Sequence, residues 1–264
     1  MQVTELAIYP IKSTRGIPLE SARVTRRGFE HDRRWLLTDE HGKFITQRQY
    51  PALATVVTSV VDEGLWITRP AAGDLWVSIP KDEGSCATVT VWQDDCQALD
   101  AGDAAARWFS DFLNINCRLC YQPERSIRAT DARYSGPEDH TSFADGFPFL
   151  LTNEASLADL NQRLTEAVPM SRFRANIVVG GQQPYEEDGW SVIRVGDITF
   201  RVAKPCSRCV ITTVNPETGL KEGREPLFTL AQYRQTDMGV IFGQNLIPDR
   251  EGIIRIGDKV KVLQ

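Results

Sequence analysis

The sequence predicts a mainly β protein of the α+β class, built as two β-barrel-like units with a few peripheral helices. Three observations carry this. Short strand-like runs separated by turn residues recur through the first part of the chain, the pattern of an antiparallel sheet or barrel. Only two stretches show a helical apolar stripe. A long polar stretch, residues 123–143, lies between two β-rich halves, which divide near residue 120 into residues 1–120 and 121–264. At 264 residues the chain has the length for two modest domains, and six tryptophans and eleven phenylalanines can fill their cores.

Taken in order, residues 3–9 alternate in part and stop at Pro10, and residues 21–25 stop at Gly28. Arg34-Trp35-Leu36-Leu37-Thr38 meets the turn Asp39-Glu40-His41-Gly42 and is answered by Lys43-Phe44-Ile45-Thr46, which predicts a hairpin. Further strands are predicted at 53–61, 65–68, 75–79 and 87–91. Residues 104–113 place Trp108, Phe109, Phe112 and Leu113 on one helix face, with Asp100 or Asp103 as the cap. Arg118-Leu119-Cys120-Tyr121 follows, and then the polar stretch, which is expected to be a linker or a mobile loop. Thr152 or Asn153 is the expected cap of a second helix, whose Ala155, Leu157, Leu160 and Leu164 form its apolar stripe. Strands are predicted at 177–179, 190–195, 198–203 and 210–214, with short apolar runs at 227–230 and 240–242. A closing hairpin of 252–256 and 259–263 is expected around Gly257-Asp258.

The net charge of −5 gives no support for a nucleic-acid partner, although cations can still gather locally against a small anion. No apolar stretch approaches the roughly 18 residues of a membrane span, so no membrane partner is expected. Met1-Gln2-Val3-Thr4-Glu5-Leu6 lacks the basic and apolar regions of a signal peptide. Six cysteines without such a signal predict reduced thiols in a cytoplasmic protein.

Chemistry concentrates in Lys204-Pro205-Cys206-Ser207-Arg208-Cys209. Two thiols, a hydroxyl and a guanidinium there suit a soft metal, an anion or both. On the residues alone, three readings stand open. Cys206 and Cys209 with Cys117 and Cys120 form two C-x-x-C pairs, a zinc tetrathiolate if the fold brings them together. Cys206 and Cys209 alone have the spacing of a redox dithiol, but Thr212-Thr213-Val214 favours a strand, not the helix whose N-terminus lowers a thiol pKa. The third reading joins a thiolate to oxyanion binding. Lys12-Ser13 ends the first strand, Asp32-Arg33-Arg34 stands at the mouth of another, and Ser171-Arg172-Phe173-Arg174-Ala175-Asn176 leads into a third. His31, His41 and His140 are assigned no catalytic role, since a lone histidine is more often structural or solvated.

Tyr-Pro-Ile-Lys-Ser at 9–13, His-Asp-Arg-Arg-Trp-Leu at 31–36, Asn-Glu-Ala-Ser-Leu at 153–157, Arg-Phe-Arg-Ala-Asn-Ile-Val at 172–178, Cys-Ser-Arg-Cys at 206–209 and Phe-Gly-Gln-Asn at 242–245 occur in this order. Together they resemble the MOSC family of molybdenum-cofactor proteins with its N-terminal β-barrel companion domain, the family of the mitochondrial amidoxime-reducing component and the YcbX-type proteins. The resemblance covers essentially the whole chain. It makes residues 1–120 the MOSC-associated barrel domain and residues 121–264 the MOSC domain.

The resemblance implies a molybdopterin cofactor between the two units, with the Cys209 thiolate as metal ligand and catalytic centre, and Cys206 as a packed thiol. It implies that Lys12, Ser13, Arg33, Arg174 and Ser207 bind the cofactor at its phosphate. Asn176 and Asp145 would contact the pterin, with Arg48 and Arg208 as additional cations. The implied reaction is reduction of N-hydroxylated compounds (amidoximes, hydroxylamines, N-hydroxylated base analogues) to the amine and water, the hard chemistry belonging to the cofactor. YcbX-type relatives often carry a C-terminal ferredoxin-like domain. This sequence has no cysteine beyond Cys209, so a separate electron-donor protein or reductase is expected. Two other functions stay open: a carrier module that holds the molybdenum cofactor, or sulfur on a cysteine, without this turnover, and a zinc-tetrathiolate structural protein.

Overall fold

In the computed structural model, strands from both halves of the chain share one sheet. Its order is Ile17–Leu19, Val3–Ile8, Ile177–Val179, Phe149–Asn153, Gly239–Pro248, Ile198–Ser207, Val192–Val195 and Val260–Val262, with Gln235–Thr236 added beside Gly239–Pro248. Phe149–Asn153 and Ile177–Val179 run parallel, and the helix Glu154–Arg163 leaves directly from the first of them. Phe29, Phe149 and Phe200 pack edge to face beneath this sheet, an arrangement that adds ring electrostatics to buried area. The first half supplies a four-stranded sheet (Trp35–Thr38, Arg118–Tyr121, Asp94–Asp100, Cys86–Val91) and a three-stranded one (Val57–Val61, Gly64–Arg69, Ala72–Ser78). Phe109 and Leu113 of the helix Asp103–Leu113 pack with Leu37, Leu53 and Leu119 in a second core. The structure describes residues 1–61, 63–69, 72–81 and 85–264; among them the chain is mainly β, as the sequence predicts, with three α-helices, the third of which, Leu227–Tyr233, shows in the sequence only as a short apolar run. No helix among the described residues is long and apolar enough to cross a membrane.

Several elements depart from the sequence expectation for local reasons. Residues 210–214 contain a 3-10 helix, Val210–Thr213, and no strand. The Thr212 hydroxyl donates to the Cys209 carbonyl at 3.0 Å and the Thr213 hydroxyl to the Val210 carbonyl at 2.8 Å, so side chains that favour strands here stabilise a turn. Residues 53–61 divide into the 3-10 helix Pro51–Thr55, opened by its proline, and the strand Val57–Val61. The predicted hairpin keeps its turn, where Asp39 Oδ1 accepts from the His41 and Lys43 amides, but its ladder shrinks to one bridge between Thr38 and Phe44. Trp35–Thr38 pairs with Arg118–Tyr121 instead.

The closing hairpin does not form. Gly252–Arg255 joins Ser21–Thr25, whereas Val260–Val262 joins Val192–Val195. The turn between them docks on Val3, whose carbonyl accepts from Gly257 N and whose amide donates to the Asp258 carbonyl, each at 2.9 Å. Asp94–Asp100 escapes the apolar pattern because Asp94, Asp95 and Gln97 face outward, and Phe149–Asn153 because it is buried along its whole length. The first helix starts from Gly102; Asp100 accepts from the Gly102 amide at 2.7 Å, and neither aspartate is the cap. The second is capped by Asn153, whose Oδ1 accepts from Ala155 N at 2.9 Å. The polar stretch 123–143 is fastened down. Its Arg128, 5% exposed, donates to Asp94 and to the carbonyls of Ser142, Ala144 and Asp145.

Candidate functional site

The strand Ile198–Ser207 pairs with Gly239–Pro248, and its register shifts twice, between Val202 and Lys204 and again between Pro205 and Ser207. Pro205 has no amide hydrogen to give the ladder, and such bulges turn side chains off the sheet. The 3-10 turn follows at once, so Cys206-Ser207-Arg208-Cys209 spans a corner and its two thiols meet different surroundings. Cys206 packs against the core that contains Phe173 and Phe242, and its sulfur receives Arg208 Nη1 at 3.0 Å. Arg208 Nη2 donates to the Phe173 carbonyl at 2.6 Å, while its Nε is buried with no partner. Cys209 lies half-buried in a cavity wall, and among the described residues nothing hydrogen-bonds its sulfur. The two thiols are not bridged.

The rest of the lining is rich in cations. Lys12 is buried and donates to Asp145 Oδ1 at 2.6 Å and to the Phe143 carbonyl at 2.7 Å, leaving one of its three hydrogens unspent. Burial lowers the Lys12 pKa from 10.5 to about 8, against the opposing pull of Asp145. Asp145 sits inside the cleft, ringed by protein yet with its side chain 59% open to the cleft. Burial raises its pKa, but the charge and hydrogen bond of Lys12, with Arg48 and Arg33 behind them, outweigh this and hold the carboxyl well below its usual range.

Arg33 is fixed from three sides. Its Nη1 donates to Asp32 Oδ2 at 2.6 Å and to Asn176 Oδ1 at 3.0 Å, and its Nη2 to the Arg174 carbonyl at 3.0 Å. Arg174 Nη1 holds the Thr14 carbonyl at 2.7 Å, and burial lowers this guanidinium's pKa to about 10. Both guanidinium carbons lie over the Tyr9 ring, at 4.3 and 4.2 Å from its centre, so one aromatic face system supports two like charges. Ser13, Arg33 and Arg174 all have positive φ, at 75°, 49° and 56°. Only seven non-glycine residues do so among those described, and the gathering of three at one cavity is the kind of backbone strain that functional sites retain.

Of the ten residues that the resemblance implies, Lys12, Ser13, Arg33, Asp145, Arg174, Asn176, Ser207 and Cys209 line this one cavity of about 140 Å3. Arg208 lines it as well. Arg48 stands in an adjoining groove, 3.5 Å from Asp145. The side chains differ in what they have left to offer. The Ser13 and Ser207 hydroxyls and the Cys209 thiol make no hydrogen bond among the described residues, and Arg174 keeps donors beyond the one given to Thr14. Asn176 has nothing left. Its Oδ1 accepts from Arg33 and Leu150 N, and its Nδ2 donates to the Ala7 carbonyl and Asp32, so it positions Arg33. Cations that keep some donors and two free hydroxyls in one cavity with an unbonded thiol are a donor set that fits a phosphate-bearing group with a thiolate-bound soft metal.

Sequence reasoning missed Asp32 and Tyr9. Asp32 is 0% exposed and accepts from Tyr9 N, Arg33 and Asn176, and its only signal was a carboxylate set directly before two arginines. The two C-x-x-C pairs are not brought together. Cys117 is buried beside Ser110 and Cys120 beside Thr38 in separate cores, and burial raises both thiol pKa values, Cys120 to about 11. Among the described residues no three His, Cys, Asp or Glu side chains are grouped to hold a metal, which removes the tetrathiolate reading.

Residues 1–116 match the MOSC N-terminal beta barrel domain and residues 138–261 match the MOSC domain. The Mus musculus protein named mitochondrial amidoxime-reducing component 1 is 37% identical over 279 residues, covering 99% of this chain and 82% of that relative. Its Homo sapiens counterpart is 34% identical with the same two coverages. The Bos taurus mitochondrial amidoxime reducing component 2 is also 34% identical, over 98% of this chain and 82% of its own length.

Proposed function

This chain belongs to the MOSC family in its two-domain form, and on that premise we propose that it is a molybdenum-cofactor oxidoreductase that reduces N-hydroxylated compounds, amidoximes first among them, to amines. The observation that carries the reading is that the Cys209 thiol, unbonded among the described residues, shares one cavity with Lys12, Arg33, Arg174 and the free hydroxyls of Ser13 and Ser207. The names of the relatives, amidoxime-reducing components, support the reaction class.

Cys209 is the proposed metal ligand, because a soft thiolate suits molybdenum and this sulfur has no competing partner. Lys12, Arg174 and Arg33, with the Ser13 and Ser207 hydroxyls, are the proposed holders of the cofactor's phosphate. Asp32 and Asn176 keep Arg33 in place, and Tyr9 supports Arg33 and Arg174. Asp145 keeps the Lys12 ammonium charged in a dehydrated place. When bound, the cofactor supplies the two-electron chemistry that no side chain here offers, so that the N-hydroxyl compound takes up two electrons and two protons and leaves as amine and water. The electrons are proposed to come from a separate donor protein.

The test is protein made in a cofactor-competent host, assayed for bound molybdenum and pterin and for benzamidoxime reduction after chemical reduction. Cys209→Ala is expected to lose metal and turnover, and Cys206→Ala to keep both. Equal loss in the two variants would overturn the ligand assignment. Full molybdenum and pterin without any turnover would instead make the protein a cofactor carrier.

A further inference from the structure

Beyond the cavity the cleft continues as a groove that shares Asp145, Phe147, Ser207 and Cys209 with it, so Cys209 faces both. Under the reductase reading, on which this inference rests, the groove is the path by which a substrate reaches the metal.

Its cations are not equivalent. Arg128 is paired with Asp94 at 2.9 Å, Arg133 with Asp131 at 2.6 Å and Arg48 with Asp145 at 3.5 Å. Lys204 also lines the groove, and among the described residues no carboxylate lies within ion-pair distance of it. Asp131, which feels the Lys204 charge, is already held by four contacts from Arg133, three from its guanidinium and one from its amide. The Lys204 ammonium rests instead over two rings, 5.0 Å from the centre of Tyr134 and 5.6 Å from that of Phe147. Rings of this kind keep an ammonium in position and strip part of its water, while leaving its hydrogens open to an anion.

The groove also carries flat apolar surface. Trp92 forms the tip of the hairpin between Cys86–Val91 and Asp94–Asp100, is 49% exposed, and has φ +61°, a conformation that a bulky side chain rarely adopts. Its ring stays against Arg48, 4.4 Å from the guanidinium carbon, and against Phe44 at 5.2 Å. Phe147 lines the same groove but is only 5% exposed, so Trp92 supplies the open apolar surface.

We propose that Lys204 is a specificity-determining residue, which favours N-hydroxylated substrates having a flat conjugated body and a carboxylate or similar oxyanion at a distance from the reacting nitrogen. The body lies along the exposed Trp92 surface, and the anion pairs with the groove ammonium that has no carboxylate within ion-pair distance among the described residues.

The test compares benzamidoxime with 4-carboxybenzamidoxime on chemically reduced holoenzyme. The wild-type protein is expected to favour the carboxylate in kcat/KM by about tenfold, chiefly through KM, as one charge-assisted hydrogen bond would give. Lys204→Met should erase that preference and Lys204→Arg should keep it. Lys261→Met, which removes an exposed charge elsewhere, should also keep it. Raised salt should lower the preference in the wild type and not in Lys204→Met. Turnover of both compounds with no preference, or a preference that survives Lys204→Met, would overturn the assignment. Turnover of neither compound by protein that carries the metal would sink the reductase reading itself, and this one with it.

Discussion

Lys12 Nζ lies 2.6 Å from Asp145 Oδ1, an ion pair between residues 133 positions apart that joins the end of the first strand to the segment entering the second half. The pair has a consequence for anion binding. Burial lowers the folded pKa of Lys12 to about 8, so its charge is lost as pH rises through that value and not near 10.5. Sulfate, whose own charge is constant there, should raise the melting temperature of the cofactor-free protein at pH 7 and do so less than half as well at pH 9.5. Lys12→Arg should show only a shallow decline, the part due to Arg174, whose pKa burial lowers to about 10. The same decline in Lys12→Arg would mean that another group titrates.

Asp32 should prove to be a positioning residue. It is fully buried and receives Tyr9 N, Arg33 and Asn176, so Asp32→Ala leaves a largely buried guanidinium without its carboxylate. Breaking such a pair costs about 3–5 kcal/mol. Thermal unfolding should fall by roughly 6–15 °C for a chain of this size, with Asp32→Asn milder, and bound molybdenum should fall in both. A variant with unchanged melting temperature and full metal would refute the role.

Thiol chemistry should separate the cysteines without any assay of turnover. Cys209 has an unbonded sulfur in a cavity wall, whereas Cys96, Cys117 and Cys120 are buried, with thiol pKa values raised by burial. Brief alkylation of cofactor-free protein followed by peptide mapping should label Cys209 well ahead of those three, since the thiolate is the nucleophile. Loading the cofactor should protect Cys209. Labelling of Cys209 that ignores the cofactor would count against it as the ligand.

Gly243→Ala should be strongly destabilising. Gly243 has φ +80°, and a Cβ there would stand 2.5 Å from the Leu151 carbonyl oxygen and 2.8 Å from Thr152 Cγ2. Backbone that close cannot yield without moving the Phe149–Asn153 strand, so a loss of about 2–4 kcal/mol is expected in urea unfolding. A loss below about 1 kcal/mol would show that the strands can part cheaply.

Much of the site could be located in advance because its ordered motifs resemble those of the MOSC family, whereas residue types alone left three readings open. A lysine and serine after a strand, arginines at 33 and 174 and a cysteine at 209 announce cations and a thiol, and all of them line one cavity. The strands were legible where apolar residues alternate, as in Ser21–Thr25, and not where a strand is buried on both faces or turns polar side chains outward. The hydroxyl bonds that fold Val210–Thr213 into a turn depend on two threonines reaching back, which strand propensity does not register.

By itself the sequence determined that the protein is mainly β and, through its resemblance to the MOSC family, which side chains to look for at one cavity. Tertiary structure decided what each of them is free to do. Cys206 and Cys209 are equivalent as letters, yet one sulfur is held by Arg208 and packed, and the other has no hydrogen-bond partner among the described residues. Asn176 looks like a ligand contact until its four hydrogen bonds are counted, and every one goes to the protein. The reason is physical: a polar group's availability is what remains after its partners are subtracted, and those partners lie up to 169 positions away in the chain.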